Sequence, residues 1–115
     1  PKIVFFEDGC YGELGHIIRA CKAMNIATGE LQHGLITSGH DAYNFHPILI
    51  QEERFTQYLP DYFLAYGDWW INEINAPVKK IPIGNPHYEE NLKRLNSCNN
   101  VKNKKILLFI SAGVN

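Results

Sequence analysis

Apolar positions along this chain alternate between two periods, and the alternation outlines its architecture. Lys2 to Phe6 is a short continuous apolar run, the pattern of a strand covered on both faces in a parallel sheet. Glu7-Asp8-Gly9 breaks it. From Tyr11 to Met24 the apolar residues Leu14, Ile17, Ile18, Cys21 and Met24 recur at helical spacing, which predicts an amphipathic helix ending near Asn25. Ile26 to Gln32 reads as the next strand, with Gly29 marking a bulge or a close approach.

Leu35 to Leu59 is long for a connection in a compact domain. Such stretches are usually functional or carry short elements of their own, and Ile48-Leu49-Ile50 is a candidate element. Pro60-Asp61 introduces an aromatic-rich third strand, Tyr62 to Tyr66. A short helix follows with Asp68 as its N-cap, and Pro77 forbids its continuation. Val78 to Ile83 is a fourth strand, and Pro82 pushes it toward a sheet edge. Asn85 at the N-cap and Pro86 at the first position start a helix to about Leu95, with Tyr88, Leu92 and Leu95 on one face. Ser97 to Lys104 is polar, and Lys105 to Ile110 is a last apolar strand.

Strands alternating with helices predict an α/β fold, a parallel sheet in a Rossmann-like three-layer α/β/α arrangement with right-handed crossovers. In such sheets the ligand crevice lies outside the carboxyl ends of the strands. Those ends are Glu7-Asp8-Gly9, His33-Gly34, Gly67-Asp68, Gly84-Asn85-Pro86 and Ser111-Ala112-Gly113. The expected organisation is a domain over 1–96, a linker over 97–104, and a strand over 105–115. That strand belongs either to a following domain or to the end of this sheet.

Composition narrows the functional classes. A formal charge of −1 over 115 residues, with no basic stripe, argues against general nucleic-acid binding. Three cysteines, Cys10, Cys21 and Cys98, without C-x-x-C spacing support neither a disulfide framework nor a zinc knuckle, and fit a reducing compartment. No apolar run is long enough to cross a bilayer. The chain starts almost inside a strand and without methionine, which suggests an excised piece of a longer protein.

Gln32-His33-Gly34 carries the clearest chemistry. An imidazole at a strand end titrates near neutrality and can take a proton from an attacking hydroxyl; a histidine satisfied by backbone groups at a sheet edge is the plainer reading. His33, His40 and His46 match no metal-ligand spacing, so no metal is expected. Gly9, Gly12 and Gly15 follow a strand as G-x-x-G-x-x-G, and Glu7 with Asp8 would repel a pyrophosphate, so close packing of helix on sheet is the better reading. Glu7 or Asp8 could serve as a base, although exposed carboxylates at strand ends are common. Gly84-Asn85-Pro86 sets a helix N-terminus where an anion is favoured, and a plain capped helix explains the same residues. Trp69 and Trp70 read as core, with one available to stack on a sugar or a partner domain.

The segments E-L-Q-H-G-L-I-T-S-G-H-D-A-Y, P-D-Y-F-L-A-Y-G-D-W-W and I-P-I-G-N-P, in this order from Glu30 to Pro86, resemble bacterial surface- and capsular-polysaccharide glycosyltransferases of the GT-B type. The resemblance spans most of Ile26 to Ile110. It implies the later part of an acceptor-side N-terminal domain, cut just after entering the domain that binds the nucleotide-sugar donor, so that the fragment alone is expected to be inactive. It also implies that Gln32, His33 and Gly34 line the interdomain cleft, with His33 a base or a ligand to the donor phosphates. His40 and Tyr43 would lie on the loop above it, and Gly84 and Asn85 would border the hinge. The implied partners are a nucleotide-sugar and a glycan acceptor, with no cofactor. The implied location is the cytoplasm, peripheral to the inner membrane face. Two other readings stand beside it: a nucleotide-sugar 2-epimerase, and a non-catalytic Rossmann-like interaction module. An exposed interdomain face could also drive homodimerisation of the fragment.

Overall fold

Four short strands form one sheet, β1 (Ile3–Phe6), β2 (Ala27–Leu31), β3 (Tyr62–Ala65) and β4 (Lys79–Pro82), in the order β1-β2-β3-β4 with every pairing parallel. The computed structural model describes residues 1–97, which fall in two compact units divided between Asn85 and Pro86. The fold class expected from the sequence, an α/β protein with a parallel sheet, is the one observed. The last predicted strand and nearly all of the predicted linker lie outside the described residues.

A sequential parallel order with right-handed crossovers carries every connection over the same face of the sheet. Phe63 and Ala65 on that face are fully buried and join Cys10, Ile36, Tyr43, Leu59, Ile74, Ala76 and Val78 in the core. The other face, within Pro1–Asn85, presents Ile3, Phe5 and Leu31, each between 40% and 49% exposed. Helix α1 (Gly15–Ala23) buries Gly15, Ile18 and Cys21. Two short helices, α2 (Pro47–Gln51) and α3 (Glu53–Thr56), occupy the long connection after β2, and the first includes the predicted Ile48-Leu49-Ile50 element. Helix α4 (Asp68–Asn72) follows β3, and among the described residues Pro82 lies on an edge strand, as expected.

Three local expectations shift. α1 begins at Gly15 rather than Tyr11, because Asp8 adopts a left-handed backbone (φ 58°), Gly9–Tyr11 form a 3-10 turn, and Gly12 (φ 95°) ends that turn. Asp68 is the first helical residue of α4 and not its cap, since extended Gly67 holds the capping position; an acid in the first turn still suits the helix dipole. Gly29 marks close packing without a bulge: the register through Phe5, Gly29 and Tyr62 is unbroken, and a Cβ at Gly29 would stand 2.9 Å from the Phe5 ring.

The second unit contributes helix α5 (Pro86–Ser97), whose proline occupies the first turn as expected. Arg94 and Glu90 pair across one turn of it at 2.6 Å. Tyr88, Leu92 and Leu95 fall on one exposed helical face.

Candidate active site

Residues of β2 build the site from below. Alternation along the strand sends Thr28, Glu30 and, just past its end, Gln32 to the covered face, and all three are buried. A buried carboxylate must be paired, and Glu30 is: the Tyr43 hydroxyl donates to Oε1, and the Cys10 backbone N–H donates to Oε2 at 2.9 Å. Burial pushes the Glu30 carboxyl up from its ordinary value, against the opposing pull of these donors and of nearby His33. The same burial, together with Glu30, pushes the Cys10 thiol and the Tyr43 phenol far up. Both stay protonated at physiological pH.

Gln32 brackets the following histidine. Its Oε1 accepts from Tyr66 N–H at 2.8 Å, past the end of β3, while its Nε2 donates to the Gly34 carbonyl at 2.9 Å. His33 is thereby held at the carboxyl edge of the sheet. Its Nε2 lies 3.2 Å from Asp8 Oδ1, and both side chains are partly exposed. A carboxylate only accepts hydrogen bonds, so this contact places a hydrogen on Nε2, and in the neutral imidazole Nδ1 is then the acceptor. Asp8 itself has a left-handed backbone (φ 58°), a conformation that aspartate tolerates better than most residues with a side chain.

Tyr11 stands beside this pair. Its ring lies 6.2 Å from His33, 5.6 Å from His40 and 5.8 Å from Tyr43, the last two edge-on. Its hydroxyl shares a 3.0 Å hydrogen bond with His40 Nε2. The His40 loop is fastened by Asn44, which donates to the Thr37 and His40 carbonyls and accepts from Asn75 N–H. Two cavities open here. One of about 540 Å³ is lined by Tyr11, Thr37, Gly39, His40, Asp41 and Ala42. The other, about 280 Å³, is lined by Phe5, Phe6, Glu7, Leu31 and His33.

The expected site residues therefore divide. Gln32, His33, Gly34, His40 and Tyr43 come together, although Tyr43 is fully buried and acts from beneath through Glu30. Gly84 (φ 81°) and Asn85 follow β4, two strands from β2, and line neither cavity. His46 caps α2, accepting from Ile48 N–H at 3.3 Å, and the histidine trio does not converge. A different set does: Asp8, Glu30 and His33 each offer one ligand atom, all within 4.8 Å of one another. With both Glu30 oxygens engaged and Asp8 paired to His33, hydrogen bonding alone accounts for that arrangement. Trp70 packs against the core at 4.7 Å from Trp69, ring to ring and edge-on, while Trp69 is 56% exposed.

Sequence reasoning did not single out Tyr11 or Glu30. Glu30 carried one signal, an acid inside a strand, where an unpaired charge is costly. A scan against protein-family models found no match, and searches of curated proteins and of solved structures found none either. Among the described residues no helix is long and apolar enough to cross a membrane.

Proposed function

We propose that this chain forms the acceptor side of a glycosyltransferase that moves a sugar from a nucleotide-sugar to a glycan in bacterial surface-polysaccharide synthesis, in the cytoplasm. The His33–Asp8 pair, at the carboxyl edge of a parallel sheet and beside two cavities, is the observation that carries this reading. An acceptor hydroxyl oxygen bonds to the anomeric carbon as the bond to the nucleotide phosphate breaks, and the hydroxyl proton passes to His33 Nδ1. Asp8 holds the required tautomer and stabilises the imidazolium that forms, the role an orienting carboxylate plays in other histidine-based sites. Two carboxylates close to His33 oppose a donor phosphate at the same spot, which favours the base over a phosphate ligand.

In the enzyme carrying this chain, His33→Ala is expected to lower transfer by about 10²–10⁴-fold. Asp8→Asn is expected to lower it less while displacing the pH profile. Unchanged transfer and acceptor affinity in His33→Ala would falsify the reading. The partly exposed Asp8–His33 pair, as acid–base groups, also suits a nucleotide-sugar 2-epimerase. Product formation from the nucleotide-sugar without any acceptor would select that alternative.

A further inference from the structure

We infer that the cavity beside Tyr11 is a subsite for an uncharged pyranose, and that it rejects sugars bearing a carboxylate. The inference rests on reading this edge as an acceptor site. Tyr11 is 45% exposed, yet its ring is braced by His33, His40 and Tyr43 and tethered through its hydroxyl to His40. An aromatic ring held this way costs little entropy when it packs against the apolar C–H face of a sugar. Around it stand groups that pair with sugar hydroxyls: the Thr37 hydroxyl, the exposed Asp41 carboxylate, and His40. A volume of about 540 Å³ lies in the range of small-ligand sites.

Charge then selects among sugars. Among the described residues the lining holds Asp41 and no lysine or arginine. Asp8 and Glu30 lie close by, and Glu73 is drawn to the same loop by Ser38 N–H at 3.1 Å. Burial holds the Tyr11 phenol above its ordinary value, and Asp8 and Glu30 lie near enough to add to that effect. Among the described residues a second carboxylate brought in on the ligand meets Asp41 and these neighbouring acids, with no lysine or arginine in the lining to offer the bidentate pairing such a group needs.

The test is a titration of the 115-residue chain, followed by ¹H–¹⁵N spectra, with methyl β-D-glucopyranoside and with the corresponding methyl glucuronide. The two probes differ in having a hydroxymethyl or a carboxylate at C5. The neutral glycoside is expected to shift the amides of Tyr11 and Gly39–Ala42, and to bind about tenfold tighter than the glucuronide at low salt. Asp41→Asn should narrow that ratio, Tyr11→Phe, which keeps the ring and loses the His40 tether, should weaken binding, and Tyr11→Ala should abolish it. Glucuronide binding as tight as the neutral probe, or neutral-probe shifts that miss Gly39–Ala42, overturns the inference. So does an unchanged ratio in Asp41→Asn, a readout that stands even if Tyr11→Ala fails to fold. No donor enters this experiment. Sugar binding without His33-dependent transfer therefore retires the base alone, and His33-dependent transfer without sugar binding retires the subsite alone.

Discussion

Along β2 the two faces of the sheet invert the usual distribution of polarity, although β3 keeps apolar Phe63 and Ala65 on the covered side. Under the connections, where apolar side chains are expected, β2 places Thr28, Glu30 and Gln32, all nearly inaccessible to water. The opposite face, within Pro1–Asn85, shows Ile3, Phe5 and Leu31 to solvent. On the covered face every polar group is matched: Asp61 takes the Thr28 N–H and hydroxyl at 2.8 and 2.7 Å, Glu30 takes Cys10 and Tyr43, and Gln32 takes Tyr66. Among the described residues no buried side-chain nitrogen or oxygen lacks a partner. The contrast teaches that β2 is organised around positioning and not around apolar burial. Its polar row fixes the loops that carry Tyr11, His33 and His40.

That contrast can be broken first at Glu30. Glu30→Ala orphans the Tyr43 hydroxyl and the Cys10 N–H in a closed interior, and should cost about 3 kcal/mol or more in urea unfolding, since each stranded group costs roughly 1–3 kcal/mol. An outcome near zero would mean that the covered face tolerates unpaired groups and that the positioning argument fails. Next comes Gly29→Ala, on the open face, whose new methyl meets the Phe5 ring. Overpacking costs typically 1–3 kcal/mol, less what reduced chain entropy returns, so a loss of about 1 kcal/mol is expected. The same change in a Phe5→Ala background should be neutral, because the obstructing ring is then gone.

A smaller effect follows from Asp61. Burial alone would raise its carboxyl, but the hydrogen bonds from Thr28 and the ion pair with Lys22 at 3.3 Å outweigh that and hold it below its ordinary value. A depressed acid stabilises the fold above its unfolded pKa, and the contribution disappears as pH falls through the folded one. Urea midpoints followed downward from pH 6 should therefore drop more steeply in the wild type than in Asp61→Asn; parallel curves would remove Asp61 from the account. Smallest of all, Leu31→Ser on the open face should change stability by less than about 0.5 kcal/mol. It should also reduce binding of a hydrophobic dye.

Much of this organisation was visible in the residue pattern. The continuous apolar run Lys2–Phe6, the spacing of Leu14, Ile18 and Cys21, and the aromatic Tyr62–Tyr66 segment all form the elements they predict, because local periodicity governs them. The carboxyl edge at Gln32-His33-Gly34 was legible for the same reason. What joins the site was not legible. Cys10 to Glu30 spans 20 residues and Tyr11 to His40 spans 29, and no local pattern encodes contacts of that separation. Asp8 read as a strand-end acid or a base in its own right and not as the partner of His33, because a left-handed backbone at a non-glycine residue leaves no trace in hydrophobic spacing. Tyr11 fitted the helical register by coincidence, while Gly12 had already ended the turn.

Both tryptophans of the chain sit side by side after β3, one packed inward and one facing water, with perpendicular rings 4.7 Å apart. Indoles this close couple their strong electronic transitions, so the pair should give a far-ultraviolet circular-dichroism couplet that disappears in Trp69→Phe. Trp69 emission should also be the part that iodide quenches. The carboxyl edge of the sheet thus carries its own optical reporter, and rearrangements there can be followed in light without attaching a label.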